Sequence, residues 1–154
     1  MSSAAATPPP VPGVTGRVLL VVAGGAVSQA AIARTAELAA GAPVTVVGIE
    51  AGEVCRNNTA SHWPASPEQI RRTVALAMSV LEDAGVMAMG HIVTGPPARA
   101  VARMARSGGA RVVILDAEGR GAGPAGLMAE LRRRMYGSGI VVLAETDRRG
   151  WVSA

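Results

Sequence analysis

Apolar residues fall along this chain in two alternating patterns. Five runs have the length of strands: Arg17 to Ala23 (RVLLVVA), Pro43 to Ile49 (PVTVVGI), Val86 to Thr94 (VMAMGHIVT), Val112 to Leu115 (VVIL) and Ile140 to Ala144 (IVVLA). Branched aliphatic residues without polar alternation predict strands covered on both faces, and the less uniform third run predicts a strand nearer a sheet edge. Between the runs lie four segments whose apolar residues recur at spacings of three and four, the period of a helix with one buried face. Ile32, Ala36 and Ala39 mark the first, over Ser28 to Ala40, and Ile70, Val74, Ala77, Met78 and Leu81 mark the second. Ala98, Val101, Met104 and Ala105 mark the third; Leu127 or Met128, Leu131 and Met135 mark the fourth.

Local chemistry places the boundaries. Ser66-Pro67-Glu68-Gln69 reads as a capping box, with Ser66 as N-cap, Pro67 at the first helical position and Gln69 reaching back. Gly41, Gly85, Gly108-Gly109 and Gly137 stand where helices must end. The resulting order βαβαβαβαβ calls for a doubly wound α/β fold, a parallel sheet with helices on both faces and right-handed crossovers. A chain of 154 residues has room for one such core, expected over residues 16–145. Residues 1–15, rich in Ala, Ser, Thr and Pro, read as a disordered tail, and 146–154 as a polar C-terminal tail. The connection over about residues 50–65 is longer than most in α/β folds and reads as a flap over the sheet. Its Cys55 and His62 have no partners at metal-ligand spacing, so no metal site is expected.

Composition narrows the function. The chain is 49% hydrophobic and 2% aromatic with no Phe, so Val, Leu, Ile, Ala and Met must fill the core, and such small side chains favour close packing of helix on sheet. Its formal charge of +4 rests on arginine alone. Those arginines are spread along the sequence and lack aromatic neighbours to stack bases, which argues against a nucleic-acid partner. A single cysteine fits a reducing compartment, and no apolar run is long enough to cross a bilayer. The N-terminal residues carry no basic start or apolar stretch of a secretory signal, so a soluble cytoplasmic protein without membrane partners is expected. No nucleophile–base–acid set or paired carboxylates occur, and Ala23-Gly24-Gly25 stands where a phosphoryl-accepting receiver domain would carry acids; the chain does not read as an enzyme.

One stretch does carry candidate chemistry. In VVILDAEGRGAGPAG, Val112 to Gly126, a buried strand ends at Asp116 and is followed by Gly119, Gly121, Gly123 and Gly126 directly before the last helix. A strand, a glycine-rich turn and a helix start together present free N–H groups and a positive dipole end, the usual anion site of open α/β sheets. A small ligand would lie outside the C-terminal ends of strands 1 and 4, lined by Ala23, Gly24, Ile49, Asp116, Gly119, Arg120, Gly121, Gly123, Gly126 and Leu127.

From Arg17 to Ala144 the sequence resembles the universal stress protein family. SQAAIARTAELAA (Ser28 to Ala40) is similar to the family's S-x-x-A-L-x-x-A-x-x-L-A, and Gly95-Pro96-Pro97-Ala98 with Val101 to its G-x-P-A-x-x-I. ARVVIL (Ala110 to Leu115) resembles its A-D-L-I-V-M, with Arg111 in place of Asp. The resemblance implies a five-stranded Rossmann-like sheet of strand order 3-2-1-4-5 and a two-fold dimer. The family's nucleotide-binding branch carries G-x-x-G, nine residues, then G-[S/T], with an Asp ending strand 1. Here Asp116 takes the first Gly position, Gly119 the second and Gly126 the third; Leu127 replaces the hydroxyl residue, Ala23 replaces the Asp, and the spacer is three residues short. Ile49 would supply the adenine-side backbone position.

Two functional readings follow. In the first, the chain is a universal stress protein-like regulator of the stress response, non-catalytic and homodimeric, acting through protein contacts with a degenerate or lost ATP site. In the second, the loop 119–126 binds ATP, AMP or another adenine nucleotide with altered geometry. In the implied strand order, Ile140 to Ala144 is an apolar edge strand that needs a cover, and a homodimer through strand 5 supplies one.

Overall fold

The computed structural model describes residues 17–22, 27–50, 66–116 and 127–145. The strands are β1 (Val18–Val22), β2 (Val44–Glu50), β3 (Ala88–Thr94), β4 (Val112–Asp116) and β5 (Val141–Glu145). Between them lie α1 (Gln29–Ala39), α2 (Pro67–Asp83), α3 (Pro97–Ser107) and α4 (Leu127–Met135). The strands form one sheet in the order β3-β2-β1-β4-β5, and every pairing is parallel. This is the doubly wound architecture that the alternating pattern predicts. Strand ends move by one or two residues, because ladder bonds and not side-chain polarity decide them: Glu50 and Asp116 continue their strands in register with Thr94 and Glu145.

Successive strand residues serve opposite faces of the sheet. Val18, Leu20, Val22, Val44, Val46, Val112 and Ile114 form one core with α1 and α2 residues, among them Ile32, Leu38, Ile70, Val74, Ala77 and Leu81. Leu19, Val21, Val47, Ile49, Val113, Leu115 and Val142 form the other with α3 and α4, including Val101, Ala102, Ala105, Leu127, Leu131 and Met135. β3 lies at an edge, as its mixed pattern predicts, with Met89, His91 and Ile92 exposed.

The capping box of α2 is complete: Gln69 N donates to Ser66 Oγ at 3.2 Å, and Ser66 N donates to Gln69 Oε1 at 2.8 Å. The turn after α1 departs from expectation. The left-handed conformation begins one residue early, at Ala40 (φ 49°), and continues through Gly41 (φ 94°), because Ala42 N donates to Ala39 O and tightens the turn into β2. Thr35 and Thr73 are buried, and each donates its hydroxyl to the carbonyl four residues back, to Ala31 at 2.7 Å and Gln69 at 2.8 Å. That removes the cost of an unpaired buried hydroxyl.

α2 approaches the sheet over two glycines. A Cβ on Gly48 would stand 2.5 Å from Ile70 Cγ2 and 2.7 Å from Val74 Cγ2, whereas one on Gly90 would meet Met78 Sδ at 2.6 Å and Val74 Cγ1 at 2.9 Å. Gly48 is buried and its neighbours are stiff branched side chains; Gly90 is exposed, and Met78 is flexible. Gly48→Ala is therefore expected to destabilise the fold by about 1–3 kcal/mol in urea unfolding, as overpacking does, with a smaller loss for Gly90→Ala. Equal losses would show that the close contact at Gly48 is relieved without cost.

Candidate functional site

The strand order creates one crevice. From β1 to β2 to β3 the chain steps one way across the sheet, and from β3 to β4 to β5 it returns and continues the other way. Right-handed crossovers then put α1 and α2 on one face and α3 and α4 on the other, so the connections leaving β1 and β4 diverge from a common point. Outside the carboxyl ends of those two adjacent strands lies the topological switch point, where open α/β sheets bind ligands.

Val22 ends β1 here, flanked in the ladder by Gly48 of β2; Val21, one residue earlier, pairs with Leu115 of β4. Two helices begin at this edge. α1 is capped by Ser28, whose buried Oγ accepts from Ala31 N at 3.1 Å, and α4 starts at Leu127. Their N-terminal dipole ends favour an anion in the crevice.

Of the residues that sequence assigns to the site, three are placed. Ile49 is fully buried at the end of β2, in register with Val93, its side chain in the core beneath α3 and α4. Asp116 is the last residue of β4. Leu127 opens α4 but is only 6% exposed, and it packs in the same core as Leu131 and Met135. An apolar side chain thus stands at that helix start for a packing reason. Ala23, Gly24, Gly119, Arg120, Gly121, Gly123 and Gly126 lie outside the described residues, as do Cys55, His62 and Pro124.

One polar feature beside the crevice escapes sequence reading. Glu50, assigned to the start of a loop, is the last residue of β2, and its Oε2 lies 3.0 Å from Nη2 of Arg71 on α2. The geometry is that of an ion pair without hydrogen-bond alignment, since this buried oxygen has no hydrogen-bond partner among the described residues. The pair ties α2 to the carboxyl end of the sheet. Positions 21 apart in sequence give no spacing signal for such a contact; only the pairing of β2 with α2 brings them together.

Among the described residues no group of three His, Cys, Asp or Glu side chains converges as a metal site would require. His91 is exposed on the edge strand, opposite Val47 in the ladder. No described helix is long and apolar enough to cross a membrane.

No family model and no curated protein matches the sequence. Solved structures match along most of its length. A universal stress protein from Archaeoglobus fulgidus superposes with a TM-score of 0.61 at 15% identity, over 85% of this chain and 93% of that one. A universal stress protein family member from Burkholderia pseudomallei gives 0.58 at 19% identity, over 87% and 98%. The universal stress protein from Archaeoglobus fulgidus in complex with dAMP gives 0.57 at 17% identity, over 85% and 98%. At identities this low the likeness speaks to architecture, and it agrees with the strand order and layers described above. The chain has the fold of the universal stress proteins.

Proposed function

We propose that this chain is a non-catalytic regulatory protein of the stress response, cytoplasmic and homodimeric, in which the ATP site of its fold relatives is degenerate. The shared fold supports the regulatory reading. Leu127 carries the reading of the site: the position that matches a phosphate-binding Ser or Thr holds a side chain built into the core beneath α4. A hydroxyl there would donate a charge-assisted hydrogen bond worth about 1.5–3 kcal/mol, so its absence weakens phosphate binding tenfold or more. Ala23 in place of the strand-1 Asp removes a ribose partner, and Asp116 in place of the first Gly adds a carboxylate to the phosphate-binding motif.

A second reading has its own support. A solved structure of similar fold is in complex with dAMP, which supports an adenine nucleotide as ligand, and the starts of α1 and α4 favour an anion between them. In that reading Gly119 to Gly126, with Arg120, hold the nucleotide in an altered geometry.

Titration calorimetry with ATP separates the two. The first reading expects no saturable heat at micromolar ATP and no ATP turnover, and it expects Ala23→Asp to raise affinity by about tenfold through restored ribose contacts. An adenine nucleotide carried through purification, detected by mass spectrometry of the denatured protein and lost in a Gly121→Val, Gly123→Val variant, would establish the second reading instead.

The homodimer is proposed through β5. This strand is at a sheet edge, and its Val141 and Leu143 are only half-buried against the α1 side of the core. Val142 points to the opposite face and is buried, so a charge there would test folding instead of assembly. Leu143→Lys is expected to give a folded monomer by light scattering where the parent chain is a dimer. A parent chain already monomeric at micromolar concentration would overturn the dimer.

A further inference from the structure

Four of the arginines that look scattered in the sequence converge on one surface. α3 turns Ala98, Val101, Ala102 and Ala105 toward the sheet and leaves Arg99, Arg103 and Arg106 exposed. Their spacing of four and then three residues stacks them on one helix face over a rise of about 10 Å. α4 packs beside α3 and contributes Arg134 from its last turn. Together with Ala102 and Ser107 these four arginines line an open groove of about 470 Å³.

Among the described residues no acidic side chain lines the groove. Arg134 pairs with Glu130 at 3.1 Å, and Glu130 is shared with Arg133 at 3.5 Å. Arg106 donates to the neutral Arg134 carbonyl, which locks the far end of α3 to that of α4. Arg99 and Arg103 make no ion pair or hydrogen bond with any described residue. Four guanidinium groups around one cleft, offset by a single shared carboxylate, repel each other until an anion enters.

We propose that this groove binds a small anion bearing several phosphate groups, such as a short polyphosphate. Guanidinium forks match phosphate oxygens in pairs, and a row of them suits consecutive phosphates better than one. The lining favours this ligand over a protein partner. Among the described residues Ala102 is the only apolar residue in the lining, the other carbon surface coming from arginine stems, so the groove shows no large apolar or aromatic anchor of the kind on which protein interfaces depend. No aromatic side chain on which a base could stack is among its described lining residues. The groove runs along the outer side of α3, from Arg99 in its first turn to Arg106 in its last, where it meets Arg134 near the end of α4, whereas the crevice lies at the sheet ends of β1 and β4.

Calorimetry of the full chain with inorganic tripolyphosphate at low salt tests the site. One saturable site is expected, weakened by about tenfold or more in Arg103→Glu through loss of charge-assisted bonds. Arg72→Glu makes the same charge change at an exposed position on α2 and is expected to leave affinity within about twofold, because at the groove nothing but the long-range field is altered. Gly121→Val, in the glycine-rich sequence between β4 and α4, is expected to have no effect. Absence of saturable binding would overturn the proposal, and so would equal weakening by Arg72→Glu, which would reduce the effect to net charge. Loss of binding in Gly121→Val would move the ligand to the crevice. Stronger binding of short single-stranded DNA, sensitive to Arg103→Glu, would make the groove a nucleic-acid backbone site and overturn the small-ligand assignment.

Discussion

β1 is buried on both faces and paired on both edges, and the remaining structure follows from that constraint. Each of its five residues is at most 3% exposed. Leu20 and Val22 need helices on one side of the sheet and Leu19 and Val21 need them on the other, so a single layer of helices could not complete this fold. With strands on both edges of β1, the chain must leave it in one direction and return past it in the other. That return is what opens a crevice at the carboxyl ends of β1 and β4, and the same winding lays α3 and α4 side by side on one face.

Small side chains then control how closely the layers approach. Without Phe, the core relies on aliphatic residues, and the glycines at 48 and 90 let α2 settle onto β2 and β3 with no room for a Cβ. On the other face, alanines at 98, 102 and 105 bring α3 against the sheet. A helix pressed this close keeps its long residues on the outer face, where the α3 arginines stand above Ala102. The two sheet edges differ in their surroundings. β3 exposes Met89 and Ile92, whereas at β5 Arg132 of α4 reaches the carbonyl of Val142 at 3.4 Å. Val141 N donates back toward β4 through Arg111 O, so the next carbonyl along the strand turns outward and Arg132 occupies part of that open edge.

The chemistry of the crevice and that of the groove are complementary in kind. The crevice offers backbone: helix starts, strand ends and a glycine-rich sequence, with Ile49 and Leu127 serving the core behind it. The groove offers side-chain charge on rigid helices. Both favour anions, through dipoles in one case and guanidinium groups in the other.

Local pattern alone was sufficient for much of this architecture. Continuous apolar runs, the 3.6 period, the capping box at Ser66 and the glycine stops identify the nine described elements, because each signal arises from residues within one turn or one strand of each other. Strand order came from the resemblance to a family, since every apolar strand looks alike to its neighbours. Tertiary structure decided the rest. Leu127 looked like a missing phosphate ligand until its side chain was seen in the core, and Glu50 looked like a loop residue until β2 extended to meet Arg71. Arg99, Arg103 and Arg106 show helical spacing, yet Arg134 lies 28 residues beyond Arg106, and no sequence period links two helices. Contacts between elements depend on how the sheet winds, and winding is a property of the whole chain.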